Sequence, residues 1–249
     1  MADNSTNGQG ASQLESVKKN RKMHPSSHTE EAAITISPLS AILTIVATFA
    51  LFLFGGVALI MLLGYESALV FGELLLVVIP LSYLNLKGVN IRIYIKLDLK
   101  LKVVITGVLL GVLVFLFNVI VSTVLISIFG VSKAVEDASG LISEMSSSPQ
   151  GLLLLIVALS LAGICEEFTF RGFLQTAMNS RYPLWISLLV SSTAFGIFHF
   201  DPQLVYTVSA FLSGLLLGYL YNRWNSYVVP AVSHATMNLI VLAISVLLV

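Results

Sequence analysis

The sequence contains little charge and almost no cysteine. Only 10% of its 249 residues are Asp, Glu, Lys or Arg, against about 25% in a typical soluble domain. The formal net charge is zero, so the composition does not indicate nucleic acid as a partner. The single cysteine, Cys165, excludes an intrachain disulfide. The chain is 57% hydrophobic, and its long apolar segments predict a multi-pass protein of the lipid bilayer.

Seven apolar segments, each near the ~20 residues that a membrane helix needs, follow a polar N-terminus. They predict an all-α transmembrane helical bundle of about seven spans, with six to eight as the range. The fourth segment corresponds to ~42 Å of helix and can break after Glu167 into a span and an interfacial helix. The fifth is short. The segments are Leu39–Leu63, Ser67–Leu84, Val103–Phe129, Gly151–Met178, Pro183–His199, Gln203–Tyr221 and Ser226–Leu248.

Composition divides the chain into three parts. Residues 1–38 are polar and cannot bury a core, so they predict a flexible tail. Residues 39–149 are predicted to form N-terminal transmembrane helices, and residues 150–249 contain the ionisable groups discussed below. With the tail inside, twelve of the thirteen Lys and Arg residues lie on or near one side, and only Lys133, in a charged loop, lies on the other. The positive-inside rule then predicts a cell-membrane protein with a cytoplasmic N-terminus and an external C-terminus.

Two adjacent carboxylates lie inside the fourth segment. An ionisable group at that depth costs roughly 2.5–3.5 kcal/mol on insertion scales, which makes it a candidate functional residue. Glu167 and Arg171 are spaced i, i+4 and can neutralise one another on one helix face. Glu166 points about 100° away from that pair and has no local partner. A carboxylate in such a setting can act as general base and acid.

Two later segments each contain a histidine. His199 ends the fifth segment, four residues after Phe195. His234 and Asn238 are spaced i, i+4 in the seventh segment and face the same way. His and Asn can both donate hydrogen bonds to a developing oxyanion, and a dry site strengthens such bonds. Either histidine alone could simply bridge two helices, but the combination with Glu166 indicates chemistry inside the bilayer.

Three motifs in this order resemble those of the CAAX protease and bacteriocin-processing (CPBP) family. That family includes the type II CAAX prenyl endopeptidases and bacterial proteins once called abortive-infection proteins. The resemblance spans about residues 150–249, which it identifies as the catalytic part, and the first three segments show no family signature. The motifs are Glu166-Glu167-x-x-x-Arg171, Phe195-x-x-x-His199 and His234-x-x-x-Asn238.

The resemblance implies an intramembrane endopeptidase. Its substrate would be a membrane-associated or C-terminally processed peptide or protein. Glu166 and His199 would activate a water molecule. His234 and Asn238 would hold the oxygen of the scissile carbonyl group. The oligomeric state, the cleavage site and the use of prenylated substrates are not indicated by any residue.

The resemblance leaves metal use open. Glu166, His199 and His234 with a water resemble a His₂Glu zinc site. A carboxylate-activated water needs no cofactor, and we favour that metal-free mechanism. In either case Glu167 and Arg171 would support the shape of the site.

Other functions compete with this interpretation. A non-catalytic membrane scaffold or a bacteriocin self-immunity protein could keep the fold, although neither needs Glu166. A proton-coupled transporter would use buried Glu and His as a relay, and Glu73 in the second segment fits that role best. A thiol mechanism through Cys165 is disfavoured because an apolar setting makes a thiol unreactive. The sequence contains no His-Glu-x-x-His motif, and no Gly-x-Ser elbow surrounds Ser213.

Two further patterns concern packing and access. Ala210, Gly214 and Gly218 form a small-xxx-small ridge that predicts close approach of a neighbouring helix. Gly107 and Gly111 predict the same in the third segment. From the depths of the polar residues along their segments, we expect the site to open toward the cytosol.

Overall fold

All regular structure in residues 35–247, the part that the computed structural model describes, is helical. The predicted polar tail lies outside these residues except for 35–38. A π-helical segment, Phe168–Gln175, joins α6 to α7 without a break. The predicted all-α bundle is confirmed. The α-helices are α1 Pro38–Leu63, α2 Tyr65–Leu86, α3 Ile91–Tyr94, α4 Leu101–Phe129, α5 Lys133–Ser146, α6 Pro149–Glu167, α7 Thr176–Asn179, α8 Leu184–Phe198, α9 Val205–Trp224 and α10 Val228–Leu247.

Five helices of the described part are long and apolar enough to cross a membrane. They are α1, α2, α4, the continuous helix Pro149–Asn179 and α10. Helix α8 is apolar but has only 15 residues, as the short fifth segment predicted. Helix α9 has 20 residues, among which serine and tyrosine side chains are interspersed. All seven predicted segments are therefore helices, and the chain is a multi-pass membrane protein.

Local signals set the ends of these helices. The side chains of Ser37 and Ser148 accept a hydrogen bond from a backbone N–H three residues on, and a proline follows each serine. Serine at the N-cap with proline at the first helical position is a strong start signal. Gly64 and Gly130 have φ of 82° and 80° and end α1 and α4. Residues other than glycine rarely adopt that conformation, so the chain can turn sharply at both positions.

Helix α5 occupies the connection for which the sequence predicted only a charged loop. That prediction was wrong. Ser132 caps the helix by accepting a hydrogen bond from the Val135 N–H, and Lys133 pairs with Asp137 at 3.0 Å. Met145, at its other end, is buried in a cluster with residues of α6 and α10. The helix is amphipathic, and a search for long apolar runs does not detect such a pattern.

The fourth span changes its helical type immediately after Glu167 but does not break there, because the helix continues to Asn179. The interfacial position predicted for the part that follows stays a prediction. Every residue of the π-helix Phe168–Gln175 is buried. Its Thr169 hydroxyl donates a hydrogen bond to the Leu76 carbonyl at 3.0 Å. Pro80, four residues after Leu76, has no N–H to offer that carbonyl. The helix therefore continues through this segment, which is buried against α2. Single π-turns within α-helices are frequent at functional sites.

Successive spans are antiparallel, so helix ends alternate between two ends of the bundle. At the first, which we call the Leu155 end, Leu155 packs with Leu69 and Leu242. At the second, the Met178 end, Met178 belongs to the same cluster as Leu84. Under the predicted topology, the Leu155 end faces outward and the Met178 end faces the cytosol.

Helix α4 approaches α10 closely at two glycines, as predicted for the third segment. A Cβ atom at Gly107 would lie 2.7 Å from Val232 Cβ, and one at Gly111 would lie 2.5 Å from Thr236 Cβ. The N-terminal helices and the C-terminal part thus share one compact unit. The division of the chain into N-terminal helices, residues 39–149, and a catalytic part, residues 150–249, stays a prediction.

Candidate active site

Four of the candidate residues line one cavity of about 260 Å³, enclosed by α2, α4, α6, α8, α9 and α10. These four are Glu166, His199, His234 and Asn238. Cys165, the disfavoured thiol, is buried and does not line the cavity. Residues from three separate motifs are therefore brought together by the fold, although roughly 70 positions separate the first from the last.

The residues that line the cavity come from both halves of the bundle, since His234 lies in the second turn of α10, which begins at the Met178 end. Ala162 precedes Glu166 on α6, Tyr206 and Ala210 belong to the first turns of α9, and His199 directly follows α8. The side on which the cavity opens stays a prediction.

The Glu167 carboxylate is the centre of a fully buried network. Its Oε1 atom lies 2.9 Å from Arg171 Nη1 and 3.0 Å from His234 Nδ1. Arg171 Nη2 donates to the Gly214 carbonyl at 3.1 Å, and the guanidinium lies 4.4 Å from the Phe195 ring centre. The pair predicted from the i, i+4 spacing is present, and neither of its charges has any exposed surface. The same carboxylate also orients a histidine of α10, which the sequence did not indicate.

Glu166 faces both histidines but is hydrogen-bonded to neither. Its Oε1 atom is 3.7 Å from His199 Nε2, and its Oε2 atom is 3.8 Å from His234 Nε2. Both distances exceed the 2.7–3.2 Å range of an N–H···O hydrogen bond. The Oε2 atom is buried and has no partner among the described residues. The carboxylate is thus held between two imidazoles with its acceptor capacity unused.

Hydrogen-bond acceptors indicate the tautomers of the two histidines. His199 Nδ1 lies 2.9 Å from the Phe195 carbonyl oxygen, which can only accept, so Nδ1 bears the proton. The Nε2 atom of neutral His199 then has no proton, and its lone pair faces Glu166. His234 Nδ1 has the Glu167 carboxylate as its partner and also bears a proton. Nε2 of His234 therefore has a proton only in the doubly protonated imidazolium form.

Aromatic rings hold the imidazoles in place. The centre of the Phe195 ring lies 4.6 Å from the His199 ring and 5.8 Å from the His234 ring. The Tyr206 ring contacts His199 edge to face, with centres 5.3 Å apart. The Phe195-x-x-x-His199 spacing thus supplies both a backbone hydrogen bond to the histidine and a ring that packs against it.

The loop after His199 is organised by Asp201. Its carboxylate accepts hydrogen bonds from the N–H groups of Gln203 and Tyr206, both at 3.1 Å. The Thr207 hydroxyl donates to the His199 carbonyl at 3.1 Å. Burial alone would raise the pKa of Asp201, but its backbone hydrogen bonds outweigh burial and lower that pKa from its ordinary value. The sequence did not predict this role, and the Asp-Pro turn signal was the one indication of it.

Three further residues line the cavity. Asn238 was predicted as a site residue, and Glu73 and Asn118 were not. Asn238 Nδ2 donates to the Leu159 carbonyl at 3.2 Å, which leaves the second amide hydrogen for a ligand. Glu73 and Asn118 also line the cavity. From the sequence, Glu73 was proposed only as part of a proton relay in the transporter alternative. A carboxylate two turns into an apolar segment was the signal that could have placed it in the site.

Within residues 35–247, no group of three His, Cys, Asp or Glu side chains is arranged to hold a metal ion. Glu166, His199 and His234 are donors of the types found in a His₂Glu zinc site. However, these three side chains are not arranged as a zinc site in the described residues. The zinc alternative therefore rests on donor types and not on geometry.

Fold and site together define a multi-pass α-helical membrane protein with a buried Glu–His–His cluster in its C-terminal half. That half is similar to a family of membrane peptidases. Residues 148–240 match the family model described as type II CAAX prenyl endopeptidase Rce1-like. The predicted resemblance to the CPBP family is thereby confirmed for this part of the chain.

A curated relative supports the same similarity. A protein of Bacillus subtilis (strain 168) described as "Putative membrane peptidase YdiL" is 29% identical to this chain over 113 residues. The match includes 45% of this chain and 43% of that protein, so the chain spans less than half the length of this relative. No solved structure matches the chain. At the level of the family, the similarity is to intramembrane peptidases.

Proposed function

We propose that this protein is an intramembrane endopeptidase that hydrolyses a peptide bond inside the cavity of Glu166. One observation supports this proposal above the others. The Glu166 carboxylate is buried, lies 3.7 and 3.8 Å from two imidazole nitrogens, and has an oxygen without a partner. Such an arrangement is costly in a membrane and has no purpose in a scaffold. It is, however, what a general base for water requires.

In the proposed mechanism, Glu166 and His199 hold the attacking water. Two acceptors 3.7 Å apart can each bind one hydrogen of the same water molecule. As the water oxygen attacks the carbonyl carbon, Glu166 takes one of its protons. The C–N bond then breaks, and Glu166 transfers that proton to the leaving amine, so the carboxylate is regenerated.

His234 and Asn238 stabilise the oxyanion of the tetrahedral intermediate. His234 lies between the carboxylates of Glu166 and Glu167, and its imidazolium form has two N–H donors. In that form Nδ1–H stays bound to Glu167 and Nε2–H is directed toward the cavity. Together with the free amide hydrogen of Asn238, it supplies two donors for the developing charge. Glu167 and Arg171 act as positioning residues, because they fix the ring of His234.

The main test uses the purified full-length protein in detergent. It is incubated with a library of peptides from a digested proteome, and new termini are identified by mass spectrometry. Wild-type protein should cleave a defined set of peptides, and Glu166→Gln should reduce turnover by about 10²–10⁴-fold, the usual contribution of a general base. Glu66→Gln is the matched control, since Glu66 is an exposed acid in the first turn of the neighbouring α2. Equal turnover by wild type and Glu166→Gln would disprove the mechanism.

Metal use is tested on the same preparations. In the metal-free mechanism, a strong chelator leaves turnover unchanged and elemental analysis finds no stoichiometric zinc. In the zinc alternative, His199→Ala and His234→Ala both release the metal whereas Asn238→Ala retains it. Finding that second pattern would replace the assignment of His199 and His234 given above.

We further propose that the protein resides in the cell membrane with its N-terminus in the cytosol. The support is the distribution of Lys and Arg between the two sides. A reporter fused before Met1 should be cytosolic and one fused after Val249 external. If both reporters lie on one side, the number of spans is even and the proposed topology is wrong.

A further inference from the structure

We propose that Glu73 forms a subsite for a cationic group of the substrate, namely a Lys or Arg side chain close to the scissile bond. This inference rests on the proposed peptidase function and assigns it a substrate class. Glu73 belongs to α2, outside residues 148–240, which match the peptidase family. Its role therefore cannot be taken over from that similarity.

The first step concerns the surroundings of Glu73. It lies in the middle of a membrane helix and lines the same cavity as Glu166. Its Oε2 atom is buried and has no hydrogen-bond partner among the described residues. Glu73 as a residue is half-buried. A carboxylate oxygen buried without a partner is unfavourable, so a ligand that supplies positive charge gains affinity there.

The second step is the balance of charge around the cavity. Three carboxylates lie in or beside it, those of Glu73, Glu166 and Glu167. Arg171 is paired with Glu167, and no Lys or Arg is among the residues that line the cavity. Glu166 has a task in the mechanism. Glu73 is then the carboxylate whose charge nothing in the described cavity compensates.

The third step concerns the polar groups of the cavity wall that α4 and α9 form. Asn118 Nδ2 donates to Ser213 at 3.1 Å and to Ser209 at 3.4 Å. Its amide hydrogens are thereby used, which leaves the carbonyl oxygen as its free polar atom. Asn118 and Ser213 line the same cavity as Glu73. A carboxylate accompanied by amide and hydroxyl oxygens suits an ammonium or guanidinium group, which has only donors.

The size of the cavity limits where the cationic residue can lie. At about 260 Å³ the cavity holds only a short piece of a peptide. A side chain bound by Glu73 must therefore belong to a residue within a few positions of the bond that Glu166 hydrolyses. The expected selectivity is about 10–100-fold, because a hydrogen bond to a charged group is worth about 1.5–3 kcal/mol and each 1.4 kcal/mol is tenfold.

The experiment begins with the peptide library described above. Wild-type protein should cleave preferentially next to Lys or Arg. The best-cleaved Lys peptide is then synthesised with free and with acetylated lysine, and both are tested against wild type, Glu73→Gln and Glu66→Gln. Acetylation should lower kcat/KM about 10–100-fold for wild type and for Glu66→Gln, mainly through KM. For Glu73→Gln the two peptides should be cleaved equally well.

Each other outcome decides against the subsite. If Glu73→Gln retains the preference for free lysine, or if wild type has none, Glu73 does not bind the cation. If Glu73→Gln loses activity equally on both peptides and its melting temperature falls, Glu73 is structural. A subsite residue should instead give a variant at least as stable as wild type, since an unpaired buried charge is removed. Failure of the peptidase proposal is recognised separately, because then Glu166→Gln and wild type give the same library profile.

Discussion

The region around Gln175 and the cavity of Glu166 differ in whether their buried polar side chains have hydrogen-bond partners. Toward the Met178 end, Gln175 Nε2 donates to the Gly218 carbonyl at 2.9 Å, and its Oε1 accepts from Ser191 at 3.2 Å. In the cavity, Glu73 and Glu166 each have a buried oxygen without a partner in the described residues. The two regions therefore differ in whether their buried polar atoms have partners.

This difference separates groups that stabilise the fold from groups that are available for chemistry. Buried polar atoms with partners stabilise a unique arrangement, whereas buried atoms without partners cost free energy and call for an explanation. Glu167 and Arg171 lie at the boundary, paired with each other and in contact with His234. We therefore expect substitutions toward the Met178 end to alter stability, those in the cavity to alter turnover, and those at the boundary to alter both.

The boundary pair should show the largest effect. Glu167→Gln or Arg171→Leu leaves the opposite charge buried and unpaired, which costs about 3–5 kcal/mol. Both single variants should therefore express poorly or melt at a lower temperature in detergent. The double variant should regain part of the lost stability, because no isolated charge remains. A thermal unfolding series of the four proteins measures this coupling, and strictly additive losses would show that the pair is not an energetic unit.

In the cavity, Asn238→Ala should lower turnover with little effect on folding. The variant loses an oxyanion donor but keeps Glu166 and the water that it activates. Removing one such donor typically lowers kcat about 10²–10³-fold. Single-turnover and steady-state kinetics on a peptide from the library distinguish this effect from weaker binding. Asn238 also donates to the Leu159 carbonyl at 3.2 Å, so the melting temperature must be measured in parallel. A loss of turnover that is fully explained by unfolding would remove Asn238 from the mechanism.

The sequence predicted features that depend on neighbouring positions in one helix. The seven spans follow from apolar runs, and the Glu167–Arg171 pair follows from an i, i+4 spacing. The convergence of Glu166, His199 and His234 could be inferred only from the motif resemblance. Periodicity alone left each histidine open to a role in helix bridging.

Other features depend on contacts between distant segments, and no local pattern could predict them. The π-helix is stabilised by Thr169 binding a carbonyl that Pro80 leaves free in another helix. The ridge of Gly214 and Gly218 predicted close helix approach, but these glycines also make room for the side chains of Arg171 and Gln175, which bind their carbonyl groups. The tautomers of the histidines likewise depend on acceptors that only the fold brings near.

A pair of glycine substitutions should give the next smaller effect. A Cβ atom at Gly218 would lie 2.7 Å from Gln175 Oε1, so Gly218→Ala must displace that side chain and break its hydrogen bond. Buried polar groups left unpaired cost about 1–3 kcal/mol, and thermal unfolding should show a loss of that size with nearly normal specific activity. Gly56→Ala is the control, because nothing lies within 4 Å of its Cβ position. Comparable destabilisation by both variants would contradict the distinction between packed and open positions.

The smallest effect should come from Asp201→Asn in the loop that follows His199. The Gln203 N–H donates to one carboxylate oxygen and the Tyr206 N–H to the other. An amide of the same shape has only one oxygen, so one hydrogen bond becomes neutral and the other is lost, which costs about 1–2 kcal/mol. The backbone hydrogen bonds lower the pKa of Asp201 in the folded protein below the value of the unfolded chain, about 3.9. The unfolded state therefore binds the proton more readily between the two pKa values, and acid favours unfolding. The stability difference between wild type and Asp201→Asn should be constant above about pH 5 and shrink as the pH falls through the lowered pKa. Melting temperatures measured from pH 7 down to pH 3 test this, and a difference that grows in acid would show that the sign of the shift is wrong.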